Sequence, residues 1–139
     1  MTDPASLLPR QRLLVVLLRL AGGLTVTAFL AMFLPVDWMI ATHRWLGLGE
    51  FPRAPVVEYL ARSIALLYGS SGVFTLIVSR DVVRYQPLVH LVGIMSIVFS
   101  VVIVVIDLYA GMPHWWTLTE GPPVAAFGLV VLRLNRRVK

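Results

Sequence analysis

Cysteine is absent from the 139 residues, which excludes disulfides, thiolate metal sites and cysteine nucleophiles. Charge is scarce as well. Asp, Glu, Lys and Arg make up 14% of the chain, against roughly a quarter in ordinary soluble domains. Acidic residues are the rarer sign, 7 against 12 basic, and the net charge is +5. No Walker-type loop, dinucleotide fingerprint or Gly-x-Ser-x-Gly turn occurs, so phosphate-cradling and serine-nucleophile chemistries have no recognisable frame. What is abundant is apolar mass. AVILMFWYC residues account for 58% of the chain and the mean hydropathy is +0.85. A soluble fold would have too little polar surface to cover that mass, so the bilayer is the expected solvent.

Four apolar segments are about long enough to cross a ~30 Å hydrocarbon core, which predicts transmembrane helices over 12–34, 55–79, 87–110 and 115–135. The first exceeds the apolar core of a signal peptide and no small-x-small cleavage site follows, so it is expected to stay. Pro55 and Pro87 suit a first helical turn, where the missing N–H costs nothing. The fourth segment is the shortest. Its uncharged part, 121–132, falls below the ~17 residues of a crossing helix. Extension back through Trp115 and Trp116 supplies the length and puts Pro122 and Pro123 in or near the first turn. A short, tilted or re-entrant helix is the alternative.

Orientation follows from the loops. Arg10, Arg12, Arg80, Arg84, Arg133, Arg136, Arg137 and Lys139 share one side, and only Arg44 and Arg53 lie on the other. The positive-inside rule then expects both termini in the cytoplasm of an inner-membrane protein. On the outer side, residues 37–46 read as a short amphipathic helix lying in the interface, with Trp38 and Trp45 at one level. Trp115 and Trp116 complete the outer half of an aromatic belt, and membrane anchoring explains all four. The expected fold is all-α, a single-domain bundle of four transmembrane helices with an interfacial helix between the first two.

The polar residues inside the spans fall on the faces with the smallest side chains. Glu58, Arg62, Ala65, Gly69 and Gly72 follow an i, i+4, i+7, i+11, i+14 progression, and Gly93, Ser96, Ser100 and Asp107 share a narrow sector of the third segment. Small residues let helices approach closely in lipid, so these are expected to be packing faces. At 1.5 Å per residue, Arg62 lies roughly 10 Å below the outer start of its helix and Asp107 roughly 5 Å from the outer end of its own. A Glu58–Arg62–Asp107 cluster is therefore expected in the outer half. It reads either as a binding site or as a structural salt bridge. Arg19, in the inner half of the first segment, can snorkel to the cytoplasmic surface.

Other chemistries are thinly represented. His43, His114, Glu120, Asp107 and Glu58 are potential metal ligands, but no His-x-x-x-His or Glu-x-x-His spacing pairs them, so neither metal nor cofactor is expected. The basic tail from Arg133 to Lys139 reads as a lipid-headgroup anchor, with no nucleic-acid partner implied.

The strings Trp45-Leu-Gly-Leu-Gly-Glu-Phe-Pro52, Glu58-Tyr-Leu-Ala-Arg-Ser63 and Ile106-Asp-Leu-Tyr-Ala-Gly-Met-Pro113, with Trp115-Trp116 and Glu120-Gly-Pro122, carry a resemblance. They resemble a family of small bacterial four-helix integral membrane proteins of uncharacterised activity, over nearly the whole chain. In size and helix count the layout is distantly similar to the DoxX-like group. The resemblance implies the four-helix fold and puts Glu58, Arg62, Asp107, Trp116 and Glu120 on the outer face. It carries over no catalytic residue. The leading expectation is a non-enzymatic protein whose outer polar pocket, with His43, His114, Trp116 and Glu120 as contributors, binds a small or lipid-like ligand. Docking of a partner subunit or of a second copy belongs to the same expectation. The alternative is an enzyme on a lipophilic substrate, with Asp107 or Glu58 as acid-base and Arg62 holding an anion.

Overall fold

The computed structural model describes Pro9–Arg136, and within it every regular element is helical. The charges of Arg137 and Lys139, used above for orientation, lie outside the described residues, as do both chain termini. Six helices follow in order: α1 Pro9–Val26, α2 Ala28–Met32, α3 Val36–Trp45, α4 Pro55–Val78, α5 Gln86–Ala110 and α6 His114–Asn135. Three stretches are long and apolar enough to cross a membrane: Pro9–Met32, Pro55–Val78 and Gln86–Ala110. At 22 residues α6 has the length for a crossing but falls short in apolarity.

The first span is broken at Thr27, between α1 and α2. The hydroxyl of Thr25 donates to Ala21 O at 2.7 Å and that of Thr27 to Leu24 O at 2.6 Å. Such back-bonding competes with the helical ladder and bends it. Helix α3 begins and ends one residue before the expected 37–46, and Trp38 and Trp45 on it are exposed.

The described residues form two compact units. Among them, residues 9–19 together with 75–136 form one unit, and Leu20–Phe74 the other. In the first, Leu14, Val15 and Leu18 of α1 pack with Val78, Val82, Val89 and Val131 into the main buried apolar cluster. Its other half is an antiparallel hairpin of α5 and α6. Gly111, at φ 69°, closes α5: Met112 N donates to Asp107 O at 2.9 Å and Gly111 N to Leu108 O at 3.3 Å. This pair of bonds satisfies two carbonyls at the helix end and needs the left-handed backbone that glycine adopts without strain. Pro113, two residues after Gly111, then caps the start of α6.

The hairpin zips along small residues. A Cβ on Gly128 would sit 2.6 Å from Gly93 O, so the two backbones are nearly in contact there. Further along, Ser100 Oγ donates to Gly121 O at 2.8 Å, with both residues buried. At the far end, Asn135 Nδ2 donates to Gln86 O at 3.1 Å and Gln86 Nε2 to Asn135 O at 3.4 Å. Ser100→Ala is expected to cost about 1 kcal/mol, read as a lower melting temperature in detergent, because the bond it loses is buried but Gly121 O keeps its helical environment.

The location of Pro122 and Pro123 corrects an expectation. They lie in the interior of α6, not in or near its first turn. The reason is that the helix starts early, at His114, where Trp116 N and Thr117 N both donate to Pro113 O and the Trp116 indole bonds the Glu120 carboxylate one turn on. Two prolines inside the helix leave the carbonyls of Leu118 and Thr119 without main-chain donors.

The second unit packs α4 against the end of the first span through glycine as well. Gly22, Gly69 and Gly72 are buried, and a Cβ on Gly72 would meet Val26 N at 2.6 Å and Gly22 O at 2.8 Å. Ala65, Gly69 and Gly72 thus lie on the buried face of α4, as their spacing predicts.

Candidate functional site

In the Leu20–Phe74 unit, Glu58 and Arg62 face the same way on α4, one turn apart. Arg62 Nε donates to Glu58 Oε1 at 3.0 Å and Nη2 reaches the same oxygen at 2.7 Å. The rest of the guanidinium is directed at main chain. Nη1 donates to Met32 O, and Nη2 also donates to Leu34 O at 3.2 Å. Met32 is the last residue of α2, so Arg62 satisfies carbonyls that a helix end leaves without partners. A cation there also meets the negative end of the helix dipole. The pair is half-buried, with side-chain exposures of 33% and 39%.

Glu58 also borders a cleft of about 280 Å³, lined by Val36, Asp37, Ile40, Phe51 and Arg53 among others. Its walls come from the first turns of α3 and α4 and from the segment before α4. That segment is pinned by His43, whose Nδ1 lies 3.2 Å from Gly49 O and whose ring meets Phe51 edge-on at 5.5 Å. His43 therefore positions the cleft wall instead of offering a free imidazole. The cleft is lined by two carboxylates, one guanidinium and apolar side chains.

The remaining expected residues belong to the other unit. Asp107 is buried at 4% exposure, near the C-terminal end of α5, and its Oδ2 has no hydrogen-bond partner. Trp116 Nε1 donates to Glu120 Oε2 at 2.6 Å, and Trp115 stands edge-on to Trp116 at 5.6 Å. His114 is exposed at the start of α6. Among the described residues no group of three or more His, Asp or Glu side chains could hold a metal ion.

Two features escaped sequence reasoning. Thr117 is buried with an unpartnered hydroxyl, and Asn135 is buried with an unpartnered Oδ1. Thr117 could have been found, because it sits four residues before Gly121 and eleven before Gly128, on the glycine face of α6. No family model, curated protein or solved structure matches the chain.

Proposed function

We propose that the chain is a multi-pass inner-membrane protein that binds a small or lipid-like ligand in the cleft beside Glu58, without chemical turnover. In this reading α6 is a fourth span and α3 lies in the interface, with Trp38 and Trp45 at headgroup depth. Both termini face the cytoplasm, because the arginines near the other ends of the spans outnumber Arg44 and Arg53. The cleft then opens toward the outer surface. Kinship with small four-helix bacterial membrane proteins fits this layout and adds no activity to it.

The observation that carries the reading is the cleft itself, where Asp37, Arg53 and Glu58 line one recess together with apolar residues. A concave apolar site with a few convergent polar groups is the usual form of a ligand pocket. The enzymatic alternative loses support from Arg62. Four of its donor contacts are already made, to Glu58 twice and to Met32 O and Leu34 O, so little of the guanidinium is left to hold a substrate anion.

The test is mass spectrometry of what co-purifies with the chain in mild detergent. A bound species is expected with the native protein, and Arg53→Ala and Asp37→Asn are expected to reduce its occupancy about tenfold or more, one lost charge contact being worth about 1.5–3 kcal/mol. Unchanged occupancy in both variants would reject the cleft as the binding site. A partner subunit retained in place of a small molecule would redirect the reading to docking.

A further inference from the structure

A buried polar position between α5 and α6 has no part in that cleft. The hairpin register that sets Gly93 against Gly128 and Ser100 and Val104 against Gly121 brings Asp107 of α5 and Thr117 of α6 to one level. Both side chains are more than nine-tenths buried, at 4% and 8% exposure, and Asp107 Oδ2 and Thr117 Oγ1 both lack a partner. Two orphaned oxygens on facing helices are costly, and a buried carboxyl oxygen without a donor is the costlier of the two.

Several donors around this level are spent elsewhere. The Trp116 indole serves Glu120, and the N–H groups of Trp116 and Thr117 serve Pro113 O. Met112 N–H is taken by the main-chain carbonyl of Asp107, and the Ser100 hydroxyl by Gly121 O. The C-terminal end of α5 is only three residues beyond Asp107, so its dipole adds negative potential at the carboxylate, offset in part by the N-terminal turn of α6 that carries Thr117. The Thr117 hydroxyl is an uncommitted donor at this level, yet it bonds nothing and Asp107 Oδ2 stays without a partner, so the carboxylate still lacks a positive charge beside it.

The geometry points to a binding position for a monovalent metal cation, of sodium or potassium class, between Asp107 Oδ2 and Thr117 Oγ1. Hard oxygen ligands suit such an ion, and one carboxylate balances one positive charge. The Pro122-Pro123 interruption lies one turn beyond Thr117 and loosens the main-chain ladder of α6 there, so the Thr117 turn can adjust to an ion.

The experiment is thermal unfolding of the purified full chain in mild detergent, followed by tryptophan fluorescence, in sodium, potassium or choline chloride at equal ionic strength. Because a ligand that binds only the folded state stabilises it by mass action, the native protein is expected to melt at least about 3 °C higher in sodium or potassium than in choline. Asp107→Asn and Thr117→Val should both lose that difference, and Glu120→Gln, which changes a carboxylate already tied to Trp116, should keep it. Equal melting temperatures of the native protein in all three salts would overturn the assignment. So would a difference that survives in both Asp107→Asn and Thr117→Val. If Asp107→Asn fails to fold, Thr117→Val decides alone: loss of the difference supports the site and full retention overturns it.

Discussion

Replacement of Arg62 by Met is expected to lower stability by about 2–4 kcal/mol, with Arg62→Lys intermediate and Glu58→Gln within about 1 kcal/mol of the native protein. The ordering comes from what each change strands. Without the guanidinium, Glu58 keeps a half-buried charge with no counterion, and the carbonyls of Met32 and Leu34 lose their donor at the end of α2. Lysine restores the charge but not the fork, so it cannot serve the carboxylate and two carbonyls together. Glu58→Gln keeps an acceptor for Nε and Nη2 and forfeits only part of the Coulomb attraction, which is modest for a pair about one-third exposed. Chemical unfolding in detergent, compared across the three variants, checks the order. If Arg62→Met is neutral, the carbonyl contacts do not hold the helix end.

The same result bears on the proposed cleft. Leu34 O is only two residues ahead of Val36, which with Asp37 opens α3 and lines the recess. Arg62 therefore fixes the point from which one cleft wall departs. Its variants should weaken ligand retention by moving that wall, whereas Arg53→Ala and Asp37→Asn should weaken it with little loss of stability. The comparison separates a positioning role from a contact role.

How much of this was legible in the residues depends on whether the cause is periodic. The buried faces of α4 and α5 could be read because glycine, alanine and serine recur at helical spacing, and close approach in a bundle leaves no other arrangement for them. The i, i+4 partnership of Glu58 and Arg62 was legible for the same reason. Arg62's main-chain partners were not. They exist because the first span breaks at Thr27 and ends again at Met32, and a break produced by threonine back-bonding leaves no periodic trace. The start of α6 was legible to within one residue, but Pro122 and Pro123 were misplaced in or near its first turn because proline usually marks one. Here Pro113 and the Trp116–Glu120 bond begin the helix earlier and carry it through. Asp107 stood out as a charge in an apolar run, but that its oxygen would lack a donor depends on which neighbours are already committed, and only three-dimensional placement decides that.

Gly128→Ala and Gly72→Ala are expected to be among the most damaging single-methyl changes available to this chain, each costing about 2 kcal/mol or more. A Cβ on Gly128 would meet Gly93 O at 2.6 Å and Ile97 Cγ1 at 2.8 Å, and one on Gly72 would meet Val26 N at 2.6 Å and Gly22 O at 2.8 Å. In both cases the nearest obstacle is main chain, which moves only if whole helices separate, so overpacking cannot be relieved by a rotamer change. Gly69 is a useful contrast. Its added methyl would meet the Phe29 ring at 2.6 Å, and a side chain can turn away, so Gly69→Ala should cost less than Gly72→Ala although the approach is as close. Gly23 supplies the control, because it lies in α1 with nothing within 4 Å of an added Cβ. There alanine removes glycine's backbone entropy at no steric expense, and stability should be unchanged or higher by up to about 1 kcal/mol. Melting temperatures in one detergent, ranked Gly23→Ala, Gly69→Ala and then the other two, test whether contact with main chain sets the cost. A Gly128→Ala protein as stable as Gly23→Ala would mean that α5 and α6 do not approach at Gly93, and the register that places Asp107 beside Thr117 would fall with it.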